Sequence, residues 1–427
     1  MKKIIFIFVL IISMTSYSQR EYNYPFEDPY IATVIGSSNM MTSGVSEEVP
    51  RREYTIQINP DEKPPKHLWY HKGFQFSLVK QNHKAPLIFL IAGTGTSYSS
   101  WKMKSFERIF YDAGFHVVSI SSPVNPNFLI TASNIKMPGV LFNDSHDVYK
   151  VMKYIYKEIE DKVDIEEFYL MGYSLGGTQA AYVTMLDDEE KYFNFKRVLM
   201  VNPAVNLYES AKILDDMLDN NIPGGRKNVG QFLEKIYREL GQHIKGDNVE
   251  INEDTIYDSF KDNYLSQKEL AALIGIAFRV AAIDVNYLGD VLNKRGVYVP
   301  KDRDIGKFES LDPYLDNINF ASFTEYVRNI AYPYYAEIYD GLTLEELISK
   351  TDIHEIKDYL IKSEKIAMVT NEDELILTPD NLKFLKETFK GRSIIYPRGG
   401  HCGNMYYTTN VENMVRYFQK GVFAHEN

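Results

Sequence analysis

Cysteine is almost absent: Cys402 is the single one among 427 residues. One cysteine closes no disulfide within the chain and builds no thiolate-rich zinc site, so the fold must stand on its apolar core. Positive charge is scarce too. Lys and Arg number 47 against 58 Asp and Glu, a formal net charge of −11. A general nucleic-acid binder needs a basic footprint, so nucleic acid is not an expected partner. Gly and Pro, at 25 and 17, are too few for a low-complexity or collagen-like chain. Long apolar runs are missing past the N-terminus. The most apolar stretch, 270–282, is interrupted by Gly275 and Arg279 and has the length of a buried helix. No integral membrane segment is expected in the mature chain.

The N-terminus itself is different. Lys2 and Lys3 precede residues 4–12, all apolar, and Ser16 and Ser18 follow as the small residues of a cleavage site before Gln19. The run is too short to span a bilayer, and the pattern is that of a secretory signal peptide over residues 1–18. The expected location is periplasmic or secreted. Residues 19–50 are polar and turn-rich and read as an extended N-terminal segment.

Beyond residue 50 the patterning alternates. Short β-rich runs at 53–58, 73–79, 87–91, 116–120, 168–171 and 198–201 are interleaved, from residue 100 on, with helical stretches at 100–112, 147–160 and 175–186. Such alternation signals a parallel sheet covered by helices. It stops near residue 206 and resumes near 361, with strands at 366–369 and 393–396 and helices at 379–389 and 411–418. The interval is rich in helix formers, tyrosines and acidic residues. An α/β core of 51–205 and 361–427 therefore carries a helical insertion of 206–360. Tyr332, Tyr334, Tyr335 and Tyr339 in the insertion are candidates to line a pocket.

The strongest local signal is Gly172-Tyr173-Ser174-Leu175-Gly176-Gly177, a G-x-S-x-G pattern between an apolar strand and a helix. This is the context of a nucleophile elbow. A serine at the apex of so tight a turn needs neighbours without side chains at Gly172 and Gly176. A serine hydroxyl is a weak nucleophile until a base takes its proton, and the base needs an orienting acid. Downstream, His401 lies in a glycine-rich loop after one strand, and Asp373 lies after another. Both sit at carboxyl ends of core strands, where α/β sheets place their sites. Glu372 and Glu374 flank Asp373 and remain alternatives for the acid. An oxyanion hole needs two backbone N–H groups; Leu175 follows the nucleophile, and Thr94 in Ala92-Gly93-Thr94-Gly95 is the expected second. His67 and His71 have an i, i+4 spacing but no evident third ligand, so no metal is expected.

The Ala92-Gly93-Thr94-Gly95 loop, the Gly172 to Gly177 elbow, Asp373 and Gly400-His401, in this order, resemble the α/β-hydrolase superfamily. The resemblance implies a mostly parallel eight-stranded sheet with flanking helices, acyl-transfer chemistry without cofactor or metal, and a helical cap in the position of residues 206–360. The chain departs from the family where Ala92 replaces a common His and where the loop from Ser121 to Phe128 lacks the usual pattern. The expected activity is hydrolysis of a small-molecule carboxylic ester through Ser174, His401 and Asp373. An exported peptidase of the same fold, acting on short peptides, and a catalytically silent binding protein are the alternatives.

Overall fold

The computed structural model describes residues 22–37, 45–243 and 265–423; the expected signal peptide lies outside the described residues. Eight strands form one sheet: β1 (Arg51–Ile56), β2 (Phe74–Val79), β3 (Ala85–Ile91), β4 (His116–Ile120), β5 (Ile165–Tyr173), β6 (Val198–Val201), β7 (Ile366–Asn371) and β8 (Ser393–Tyr396). Their order is β1-β2-β4-β3-β5-β6-β7-β8. β2 runs antiparallel to both neighbours, and every pair from β4 through β8 is parallel. This is the α/β-hydrolase fold.

The apolar run at 87–91 shows why the middle of the sheet has no polar alternation. Leu87, Phe89 and Ile91 enter one buried cluster with the helices Leu141–Ile159 and Leu175–Glu190. Ile88, Leu90 and Ala92 enter another, against Trp101–Asp112 and Thr408–Lys420. Side chains of a strand alternate between faces, and here both faces are covered.

Among the described residues between β6 and β7 every named element is a helix, the longest being Leu207–Asp219, Val229–His243 and Gln267–Leu292. Gly275 and Arg279 prove to be crossing and anchoring residues of the last helix. A Cβ on Gly275 would lie 2.5 Å from the Leu218 backbone nitrogen, so the missing side chain lets the two helices touch. Arg279 is buried and reaches Asp215 at 3.1 Å and Asp219 at 2.7 Å. Among the described residues this is the one helix long and apolar enough to cross a membrane, and 61% of its apolar window is buried within the protein. Its apolar character thus matches burial against its own neighbours.

The 19–50 segment departs from the extended reading. It carries a helix, Pro29–Ile35, whose Asp28 cap accepts from the N–H groups of Tyr30 and Ile31. The sequence signal was the Asp-Pro pair, a cap residue followed by a proline at the first helical position. This helix packs on Gln267–Leu292 and on the loop that holds His401.

Candidate active site

The elbow forms because β5 must turn into the helix Leu175–Glu190 within one residue. Ser174 takes φ 53° and ψ −126°, a conformation costly for a residue with a side chain. Two features hold it there. The Ser174 N–H donates to the Val201 carbonyl at 2.8 Å. The glycines leave the space: a Cβ on Gly172 would lie 2.0 Å from the Gly176 carbonyl oxygen, and one on Gly176 would lie 2.2 Å from that of Ile91. The strand-to-helix crossing therefore tolerates no methyl group at either position.

His401 lies on the loop after β8. Its Nε2 is 3.0 Å from Ser174 Oγ, and its Nδ1 is 2.8 Å from Glu374 Oε1. A carboxylate accepts, so Nδ1–H donates to Glu374 and Nε2 is left to accept the serine proton. The other Glu374 oxygen accepts from Asn202 Nδ2 at 2.8 Å, and Oε1 also accepts from the Ile376 N–H at 3.3 Å. The acid is thus fixed from both sides.

Asp373 is not the residue brought to His401. Its carboxylate turns to the loop backbone, accepting from the N–H groups of Gly399 at 3.1 Å and Gly400 at 2.9 Å. Burial pushes the Asp373 carboxyl up from its ordinary value, against the pull of those two N–H groups. Glu372 points outward to Lys386 at 2.6 Å. Three consecutive acidic residues therefore go three ways: to solvent, to the loop backbone and to the histidine. Neither composition nor spacing separates them. The turn geometry after β7 does.

The histidine loop is held by groups that sequence patterning missed. Asn371 Nδ2 donates to the Gly400 carbonyl at 2.7 Å, and Asn371 and Asn404 exchange amide hydrogen bonds. The His401 N–H donates to Thr33 Oγ1 in the N-terminal helix at 2.8 Å. Gly400, at φ 55°, lies so close to that helix that a Cβ would meet the Pro29 carbonyl at 2.2 Å. Burial disfavours the charged form of His401, whereas Cys402 and Glu374 favour it, and the balance is upward from the ordinary histidine value. Cys402 Sγ stands 3.7 Å from His401 Nε2.

Two cavities meet at Ser174. One is a chamber of about 730 Å³, counting its opening, walled by apolar residues such as Leu207, Leu214, Phe278, Val285, Phe323 and Tyr326. Thr94, Ser174 and Leu175 form its floor. The other is a cleft of about 1060 Å³, counting the solvent at its mouth, which shares Thr94, Ser174 and Phe278 and adds His401 and Cys402. A Cβ on Gly93 would be 3.2 Å from Ser174 Cβ, so the loop after β3 lies directly against the nucleophile.

The tyrosines singled out in the insertion lie elsewhere. Tyr335 and Tyr339 line a separate groove with Phe142 and Tyr182, and the Tyr335 hydroxyl donates to the Met137 carbonyl at 2.8 Å. Tyr208 and Tyr326 line the chamber instead. His67 donates to or accepts from the Tyr287 hydroxyl at 2.9 Å, and no group of three or more metal-ligating side chains occurs among the described residues.

No model of a known protein family matches the sequence, and no curated protein does. Among solved structures, the chain is similar to an acylaminoacyl peptidase of Pyrococcus horikoshii, at 12% identity and a TM-score of 0.42, covering 90% of this chain and 43% of that one. The chain thus spans less than half the length of that peptidase. It is similar as well to an esterase of Rhizomucor miehei, at 13% identity and a TM-score of 0.43, covering 89% of this chain and 87% of that one. A peroxisomal alpha-beta-hydrolase of Saccharomyces cerevisiae aligns at 13% identity and a TM-score of 0.41 over 88% of this chain and 90% of its own.

Proposed function

We propose that this α/β-hydrolase-fold chain is a serine hydrolase cleaving carboxylic esters with an apolar acyl group. The observation that carries the reading is the relay Ser174–His401–Glu374 at 3.0 and 2.8 Å, opening on an apolar chamber. In the proposed reaction Ser174 Oγ attacks the ester carbonyl carbon while His401 Nε2 takes its proton. Glu374 holds the imidazole tautomer and favours the imidazolium that forms. The N–H groups of Leu175 and Thr94 receive the developing oxyanion; both residues line the chamber beside Ser174. His401 then gives its proton to the leaving oxygen, and the alcohol departs. Water, deprotonated by the same histidine, hydrolyses the acyl-enzyme and restores Ser174.

We assign the helical segment 206–360 the role of a cap, because its residues Phe278, Val285, Phe323 and Tyr326 wall the chamber above the serine. An apolar acyl chain buried there gains about 0.8 kcal/mol per methylene withdrawn from water. Aryl esters of lengthening acyl chain measure this: kcat/KM should climb from acetyl to butyryl, and the matching aryl amides should turn over far more slowly. Faster turnover of aminoacyl arylamides would favour a peptidase, and turnover of neither would favour a silent binder.

We propose export as well, from the basic start, the apolar run and the Ser16/Ser18 cleavage pattern. Protein recovered outside the cytoplasm should begin at Gln19; an intact N-terminal Met on that fraction overturns the assignment.

A further inference from the structure

We propose that the leaving group of the substrate carries a carboxylate, received by Lys102 in the cleft on the His401 side of Ser174. The inference rests on the hydrolase reading above and adds to it the chemistry of the alcohol half.

The two cavities at Ser174 are not equivalent. His401 lines the cleft and is absent from the chamber wall. The group that protonates the leaving oxygen must stand beside that oxygen. The acyl chain therefore belongs in the chamber and the departing alcohol in the cleft.

The cleft has an unusual chemical makeup for this chain. The protein has 58 Asp and Glu side chains, and among the described residues none lines the cleft. Apart from the histidine of the relay, the one ionisable cation among its described lining residues is Lys102, which makes no ion pair among the described residues. Its ammonium stands 5.8 Å from the centre of the Trp101 ring, which is 43% exposed and lines the same cleft. A second donor lies deeper. The Tyr173 hydroxyl is buried, with the Thr96 side chain and the Gly93 backbone as its polar neighbours. Burial pushes this hydroxyl up from its ordinary value, so it keeps its proton.

An ammonium without an ion pair, a protonated hydroxyl and no carboxylate among the described lining residues together describe a place short of an anion. A carboxylate-bearing alcohol can lie beside Trp101 and direct its charge at Lys102. The protein's net charge of −11 opposes any anion at long range. The preference must therefore arise locally, and salt must weaken it.

The test uses the full-length protein and two esters of one shape, 3-butyryloxybenzoate and its neutral analogue 3-butyryloxybenzamide, each rate divided by its hydroxide-catalysed rate. The normalised kcat/KM ratio should favour the anionic ester by about fivefold, chiefly through KM, as expected for one partly desolvated ion pair. Lys102→Gln should bring the ratio to near one, and Lys102→Arg should retain most of it. Lys383→Gln, at an exposed remote site, should leave the ratio unchanged. A wild-type ratio at or below one, or a ratio that survives Lys102→Gln, overturns the proposal. Should the Gln variant not fold, the Arg variant and the loss of preference at high salt decide. Turnover of neither ester is a separate outcome: it sinks the hydrolase reading itself.

Discussion

Glu374→Gln should lower kcat by ~10⁴, as removal of the acid's charge does in other Ser-His-acid relays, whereas Asp373→Asn should cost roughly an order of magnitude or less. Glu374 accepts from His401 Nδ1, so an amide in its place presents either an oxygen without charge or an NH₂ group that forces the wrong tautomer. Asp373 accepts from backbone N–H groups of the histidine loop, and an asparagine oxygen can still accept one of them. The pH profile separates the two roles further. His401 must be neutral to take the serine proton, so kcat/KM rises as pH passes through its folded pKa. That pKa lies above the ordinary value of about 6.5, raised by Cys402 and Glu374 against the effect of burial. Removing the Glu374 charge removes an upward push, so the residual activity of Glu374→Gln should rise at lower pH than the wild type. Steady-state rates across pH for both variants check this. A large loss in Asp373→Asn with Glu374→Gln nearly intact would reverse the assignment.

Ser174→Ala should remove essentially all turnover, ~10⁶-fold in kcat where a relay serine is lost. The same change should abolish labelling by a fluorophosphonate, since such a probe phosphonylates only a hydroxyl whose proton a base can take. The substitution removes one oxygen from an apex held by the Val201 carbonyl and two glycines, so the fold should persist, with circular dichroism unchanged. Labelling that survives Ser174→Ala would place the reactive group elsewhere, with Cys402, 3.7 Å from the same imidazole nitrogen, the first residue to examine.

Much of this architecture is legible in the sequence because the sheet is covered on both faces. A doubly buried strand writes itself as an apolar run, as 87–91 does, and the glycines of the elbow mark a turn that no other residue fits. Ser174 and His401 follow from that frame, since each stands directly after a core strand. The orienting acid does not. Glu372, Asp373 and Glu374 are chemically alike, and the choice among them depends on how the chain turns after Asn371 and on Asn202, a residue 172 positions from Glu374 that holds its second oxygen. The pocket tyrosines were illegible for a similar reason. A five-residue π-helical turn at Val327–Ala331 rotates the following helix, so that Tyr335 faces the Met137 carbonyl while Tyr326 remains at the chamber. Aromatic content records a tyrosine's presence and not the direction it faces.

The contact between Thr33 and the His401 N–H joins residues 368 positions apart, and the relay itself joins Ser174 to His401 across 227. Closing such long loops is entropically expensive and slow, and local helices and neighbouring strands form well before it. On a ribosome the nucleophile elbow emerges and can pack long before its base exists. Catalytic competence is therefore gained last, when the C-terminal loop docks between the first helix and the sheet. During refolding, helical signal should recover ahead of any hydrolytic activity. Under the proposed reaction, the serine stays an ordinary alcohol until the loop bearing His401 docks against it.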